Sequence, residues 1–562
     1  ASICKREKCS MEVLGEITCD GKFVVLNDIK DDVKKPINFK LTDVMADLPR
    51  KRFSDVTVKY GFKPLVLPRT ATVKSSLSRV LLNLAVASAE MYTLKGDRAV
   101  TGLVVGQQHC GPANLPVADC GIMAMSHFSK PGIVFSMGEQ PAKLMLDPSA
   151  GARMAAAEAI LNMAGAWLGK NGLAKTVSSV NWMWALKYLG EGSAIFKAVR
   201  ALSEFLRGKG MPIRGKDSSS MLTKLGKEII PCPREVMITL QGMMPDCRKF
   251  VTPDIKRPGE SDLVLIDLGF GKNRMGGSIL GQCYNQWGND CPDIDPELLA
   301  RTFNAIQELI GRNWILSYHD RSDGGLIVTL LEMAFSGNCG FIAGFDRARD
   351  FKRSLFSEEA GAVIETPTEL TYQSIDALKS FGVPAEVVGR TTREKAVELL
   401  QGSKVVFEEG MEALRETWRE TSHQLRLRQV NPDCALAEKR NTKSRRGISY
   451  VFPKGFNGKA QFGLRCTSRA PSAGILREIG MNSTEEMNAA FKFAGFRTYD
   501  VAMKDLENGS VNLDRFSVLA VCGGFANRDT LGSARGWAAK ILYNNKLRRM
   551  FWEFLARDDT LS

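Results

Sequence analysis

His319-Asp320-Arg321-Ser322-Asp323-Gly324-Gly325-Leu326 is the stretch that decides how this chain is read. An apolar run from Trp314 to Tyr318 precedes it and a second, Ile327 to Ala334, follows it, so the order is strand, acidic turn, helix. The two glycines let backbone approach closely where the turn closes. Carboxylates and a hydroxyl at a strand-to-helix junction can hold a divalent cation beside a phosphate, because the start of a helix offers N–H groups with no intrahelical partner. The same residues also suit an ordinary Asx-turn and N-cap. On this stretch alone both readings stand.

Two other segments supply matching donors. Leu115 to Gly121 is strand-like and carries one carboxylate, Asp119. In Arg153 to Asn162, Glu158 and Asn162 lie four residues apart, so one helical turn puts both oxygen donors on one face. A solvated helix face is the alternative, but their neighbours are almost all Ala, Met, Ile and Leu. Asp119, Glu158, Asn162 and Asp320 together give three carboxylates and a carboxamide, hard donors suited to Mg²⁺. Gly215-Lys216-Asp217-Ser218-Ser219-Ser220 and Gly276-Gly277-Ser278 are candidate phosphate loops, although neither matches a Walker A sequence. Lys216 reads as a phosphate contact or as a solvated loop lysine.

A length of 562 residues implies three or four domains. With 44% hydrophobic and 25% charged residues the composition is that of a globular protein. The most apolar helical candidate, Ala155 to Leu168, carries Glu158 and Asn162, so no membrane span is expected. Charges at Lys5 to Lys8 interrupt the start, so no secretory signal is expected, and the opening at Ala1 reads as the interior of a longer chain. Thirteen cysteines without a regular framework suit reduced thiols and a cytoplasmic location. Cys4 and Cys9 have no second pair nearby, so a zinc site is not expected. The net charge of +14 is dispersed and lacks any nucleic-acid-binding motif; a phosphate-bearing small substrate explains it as well as a nucleic acid does.

Along the chain, Met11 to Thr18 and Phe23 to Leu26 read as a strand pair around the turn Cys19-Asp20-Gly21-Lys22. Thr72 to Ala87 is helical, 99–106 and 115–125 are strands, and helices follow near 148–169 and 193–208. Asp262 to Gly269 is a buried strand opening a new domain, with a helix over 295–312. Residues 431–459 read as an irregular linker, and Ser472 to Ser562 restarts a strand–helix alternation.

In this order the chain carries Asp97-Arg-Ala-Val-Thr-Gly-Leu-Val104, Pro116-Val-Ala-Asp119, Met137-Gly-Glu-Gln-Pro141, Asn181-Trp-Met-Trp184, Gly215-Lys-Asp-Ser218 and His319 to Leu326. That set closely resembles the formylglycinamide ribonucleotide amidotransferase family, over nearly the whole chain. The resemblance implies an α/β protein with an α+β synthetase core: a two-domain unit like aminoimidazole ribonucleotide synthetase, followed by the beginning of a class I, flavodoxin-like glutamine amidotransferase domain. The boundaries it implies are 1–46 for the end of a first synthetase copy, 47–70 for a linker, 71–240 and 255–428 for the two domains of the second copy, 429–471 for a linker and 472–562 for the amidotransferase. It places Mg²⁺ on Asp119, Glu158, Asn162 and Asp320 and ATP or ADP at Ala118 and Ser322; Lys216 is counted with the nucleotide contacts from its own loop sequence, not from the resemblance. Formylglycinamide ribonucleotide, glutamine and ATP are the implied substrates. A monomeric, cytoplasmic ligase with no nucleic-acid or membrane partner is the implied form.

The chain departs from the family's pattern in places. The glutaminase nucleophile is expected beyond Ser562, and Cys522 is read as a core strand residue, so the catalytic residues stay unknown. The loop Gly523-Gly-Phe-Ala-Asn-Arg-Asp529 lacks the glycine that family members place before the aspartate. Near Ser88-Ala89-Glu90 the family's phosphate-contacting lysine is missing. These departures favour an alternative, a catalytically silent homologue acting as a nucleotide-binding scaffold or viral structural protein; the intact acidic set favours the enzyme. A related ATP-using synthetase is a third reading, weakened by the region after Ser472.

Overall fold

The computed structural model describes every residue except 1–3, 5–9, 28–33, 46–51, 95, 97, 346–349, 443–450, 453, 456–468 and 533. The Cys4–Cys9 pairing lies outside the described residues. The chain divides into two compact units, one of residues 55–463 and one of residues 1–54 with 464–562.

The larger unit is built on two sheets. The first has six strands in the order Val104–Gly106, Gly121–Ala124, Gly132–Gly138, Glu235–Met244, Val177–Trp184 and Ile213–Ser220, all antiparallel except the last pair. Alternation along Glu235–Met244 buries Val236, Ile238 and Leu240 on one face. The second has seven strands in the order Ser317–Asp320, Gly361–Pro367, Ser261–Asp267, Ala385–Thr392, Gly340–Phe345, Ala396–Gln401 and Lys404–Gly410, with a single parallel pair. Mostly antiparallel sheets faced by helices make this unit α+β.

One helix positions the site. Pro148–Ala164 starts where Asp147 accepts hydrogen bonds from the N–H groups of Ser149 and Ala150, with Pro148 at the first helical position. Its Ala-rich sequence has no polar face, and the helix is buried nearly all round, in a core that also contains Val134, Val236, Val264 and Ile364. Gly138 makes the close approach possible: a Cβ there would lie 2.3 Å from the Ala155 carbonyl oxygen and 2.4 Å from Ala159 N. That contact brings Glu158 against the end of the Gly132–Gly138 strand.

Several sequence expectations shift. Lys22–Val25 pairs with Ile37–Lys40, not with 11–18, which forms no strand. The helix expected to Ala87 ends at Leu82, where Asn83 takes an extended conformation. The strand expected over 115–125 is confined to Gly121–Ala124, leaving Asp119 two residues ahead of it. Within the expected 431–459 linker, Pro432–Asn441 is helical, capped by Asn431 and followed by Lys439 and Arg440 in its last turn.

In the smaller unit, Arg497–Ala502, Ser472–Arg477 and Val518–Val521 form a parallel three-stranded sheet with intervening helices. Cys522 is buried one residue past the third strand rather than within it, and burial raises its thiol pKa. In the loop beyond it Asn527, Arg528 and Asp529 all take left-handed conformations, with φ of 52°, 56° and 59°. These are positions where glycine would cost less, consistent with the altered loop sequence.

No helix among the described residues is long and apolar enough to cross a membrane.

Candidate nucleotide and metal site

The quoted stretch folds as strand, turn and helix, with His319 and Asp320 ending the strand and the helix starting at Leu326. Gly324 and Gly325 take φ of +83° and +75°. A Cβ at Gly325 would lie 2.7 Å from the Ser357 carbonyl oxygen, so only glycine lets the turn lie against 355–357.

Asp119, His319 and Asp320 converge, their ligand-capable atoms all within 4.8 Å of one another. His319 bridges carboxylates: Nδ1 lies 2.6 Å from Asp119 Oδ1 and Nε2 lies 2.9 Å from Glu332 Oε2. Burial works against the imidazolium, but Asp119 and Glu332 outweigh it and push the His319 pKa well above its ordinary value. Burial raises Asp119, against the pull of His319. Asp320 is driven well above the usual carboxylate range by burial first and then by the charge of Asp119, with Glu158 adding to it. Hard oxygen donors that repel one another out of water suit a divalent cation, so the residues present fit Mg²⁺.

Glu158 sits across from the turn. Its Oε1 accepts from Ser322 Oγ at 2.7 Å, and its Oε2 accepts from Glu139 N at 2.8 Å and Gln140 Nε2 at 2.9 Å. Asn162, one helical turn on, donates through Nδ2 to the Met137 carbonyl at 2.8 Å, which directs it to the strand rather than to the carboxylates. Ala118 lines a small cavity with Asp119, Gln107 and Thr252. Glu158 and Ser322 line a second, with Gln140, Arg321 and Glu358.

Lys216 does not join them. It lies on the exposed Ile213–Ser220 strand, not in a loop, and its Nζ is 3.0 Å from Ser218 Oγ. That strand is four places across the sheet from the one Asp119 precedes, roughly 19 Å at the usual strand spacing. Gly276-Gly277-Ser278 is not an open phosphate loop either: Ser278 is buried and caps the short Ile279–Cys283 helix. Glu90 forms a two-pronged ion pair with Arg419, at 2.8 and 2.9 Å.

Two participants were not assigned a role from the sequence, His319 and Glu332; Lys143, paired with Glu358 beyond this set, was not singled out either. Glu332 and Lys143 had a signal, each being a lone charge in an apolar run, Leu-Leu-Glu-Met-Ala and Pro-Ala-Lys-Leu-Met-Leu.

The electrostatics predict a pH response. The His319 contribution is fully present below its unfolded value of 6.5 and is lost as pH rises through its raised folded value. Asp320, with a folded value raised above 3.8, becomes increasingly costly as pH rises from 3.8 towards that folded value. Both signs agree. Melting temperature in EDTA should fall, by about 1 °C per kcal/mol for a unit of this size, between pH 6.5 and 9, and Mg²⁺ should flatten the fall. A melt series flat in EDTA would exclude this charge balance.

Comparison with known proteins follows the same lines. Residues 88–242 match the FGAR-AT PurM_N-like domain, 263–401 the C-terminal domain of AIR synthase related proteins, and 470–562 the CobB/CobQ-like glutamine amidotransferase domain. The chain is 38% identical over 579 residues to a probable chloroplastic/mitochondrial phosphoribosylformylglycinamidine synthase of Arabidopsis thaliana, covering 100% of this chain and 41% of that protein. It is also 38% identical over 577 residues to the Homo sapiens phosphoribosylformylglycinamidine synthase, covering 99% of this chain and 43% of that protein. The chain thus spans less than half the length of these relatives. The structure of T. maritima PurL complexed with FGAR has a TM-score of 0.47 and 12% identity, covering 62% of this chain and 54% of that one.

Proposed function

We propose that this chain, which matches along its whole length a segment of the large single-chain phosphoribosylformylglycinamidine synthases, carries the Mg²⁺–nucleotide site of a carbon–nitrogen ligase with glutamine as amido donor. The proposed reaction is that of the named relatives: ATP activates the amide oxygen of formylglycinamide ribonucleotide as an iminophosphate, and ammonia from glutamine displaces phosphate to leave the amidine. A cytoplasmic monomer acting on these small molecules is part of the proposal.

The observation that carries it is the convergence of Asp119 and Asp320 beside the Ser322–Glu158 contact. Asp119, Asp320 and Glu158 would hold Mg²⁺; Asn162, bonded to the Met137 carbonyl through Nδ2, would have only its Oδ1 to add. Bound there, the ion would neutralise charge on phosphoryl oxygens. Ala118 and Ser322 would meet the nucleotide; Lys216 is too far away to be included. His319 keeps Asp119 oriented, through a hydrogen bond fixed at its other end by Glu332. Whether the nucleotide turns over or stays as a structural element is open to one experiment. ADP binding should be Mg²⁺-dependent by calorimetry, and the protein with its full amidotransferase domain should form the amidine from ammonia as well as glutamine. Absence of Mg²⁺-dependent ADP binding would overturn the site. Binding without turnover would instead favour the nucleotide-binding scaffold, to which the altered Gly523–Asp529 loop also points.

A further inference from the structure

Lys143 is unused by the site as described. It lies in the short Pro141–Leu146 helix, 1% exposed. Its Nζ donates to Glu358 Oε2 at 3.0 Å and to Gln140 Oε1. From each acceptor the hydrogen bonds run on. Gln140 Nε2 donates to Glu158 Oε2 at 2.9 Å. Glu358 Oε1 accepts from Gly324 N at 3.0 Å and Ile279 N at 2.7 Å. Two residues before Gly324, Ser322 Oγ donates to the other oxygen of Glu158 at 2.7 Å. The links close into a ring: Glu158, Gln140, Lys143, Glu358, the Gly324–Ser322 backbone, and back to Glu158.

Stability alone does not account for a cation there, since a buried ion pair is often no better than an apolar pair of the same volume. Orientation does. A carboxamide can present either its oxygen or its NH₂ to a neighbour, whereas an ammonium has donors only. With Lys143 on one side, Gln140 must turn its oxygen to the ammonium and its NH₂ to Glu158. Without Lys143 the Gln140 oxygen loses its donor, and Glu158 alone is left to select the orientation of the amide.

We propose that Lys143 is a positioning residue of the nucleotide–metal site: it fixes the Gln140 amide as a donor to Glu158 and, through Glu358, holds the Ser322–Gly324 turn against the same carboxylate. This rests on the reading that Glu158 serves a Mg²⁺–nucleotide complex.

The test is titration of the chain with ADP, in saturating MgCl₂ and in EDTA, for the parent, for Lys143→Met/Glu358→Gln and for Gln140→Leu. The double variant removes both buried charges together, and the glutamine carbonyl can still accept from Gly324 and Ile279. It should melt within a few degrees of the parent and still lose about 10-fold in Mg²⁺-dependent ADP affinity, as outer partners of metal ligands do. Its affinity in EDTA should not change. Gln140→Leu should give the same loss, and adding it to the double variant should give no more. Parent-like affinity in the double variant, an equal loss in EDTA, or failure of the double variant to fold would each overturn the positioning role. A parent with no Mg²⁺-dependent ADP binding would take down the site reading and this inference together. A parent that binds, beside a double variant that binds equally, takes down this inference alone.

Discussion

Asp320→Asn should raise the melting temperature of the metal-free protein while lowering Mg²⁺-dependent ADP affinity on the order of 100-fold, at least the upper end of what outer partners of metal ligands cost. The two effects share one cause. Asp320 is buried beside Asp119, and its charge is also opposed by Glu158. Its nearest cation, His319, is already engaged by Asp119 and Glu332 and lies 3.7 Å from Asp320 Oδ1. A neutral carboxamide of the same shape removes that repulsion and, with it, one anionic ligand. Asp119→Asn is the control: it should also lose the metal but melt lower, because it takes the counter-charge from the His319 contact at 2.6 Å and leaves only a neutral acceptor there. Differential scanning calorimetry in EDTA, with ADP titration in Mg²⁺, reads both. If Asp320→Asn melts lower in EDTA or binds Mg²⁺–ADP like the parent, Asp320 is an ordinary structural acid.

The second large effect concerns the fold under the site. Arg321→Met should cost about 3–5 kcal/mol, as loss of one partner from a buried ion pair does, and lower the melting temperature on the order of 3–6 °C. The Arg321 guanidinium is buried; its Nη2 lies 2.6 Å from Asp267 Oδ1 and 3.1 Å from the Ala360 carbonyl, and its Nε lies 2.7 Å from the Glu359 carbonyl. Burial works against the Asp267 carboxylate, and Arg321 with the N–H groups of Gly271 and Gly269 outweighs it, holding its pKa below the ordinary value. Removing Arg321 strands that carboxylate. Arg321→Met/Asp267→Asn should therefore recover much of the loss, since no carboxylate is left stranded and the asparagine carbonyl can still accept from Gly271, although the second bond, from Gly269 to the other oxygen, is given up. A double variant as unstable as the single one would show that the carbonyl contacts, not the stranded charge, dominate.

The alternation and spacing of residues determined a good deal. Strand, acidic turn and helix around His319 to Leu326 follow from two apolar runs and two glycines, and the structure has them in that order. Glu158 and Asn162 share a helix because four residues make one turn. These are local properties, set by neighbours in the chain. Only the tertiary structure decided which donors meet. Lys216 carried a phosphate-loop sequence, yet sheet order puts its strand at an outer edge, and no local pattern encodes strand order. Lys143 meets Glu358 across 215 positions, and His319 meets Asp119 across 200. The apolar runs around Lys143 and Glu332 announced charges in need of a partner without naming it. Burial makes a charge require a counter-charge, but which residue supplies it depends on how two sheets and a polar-poor helix pack together.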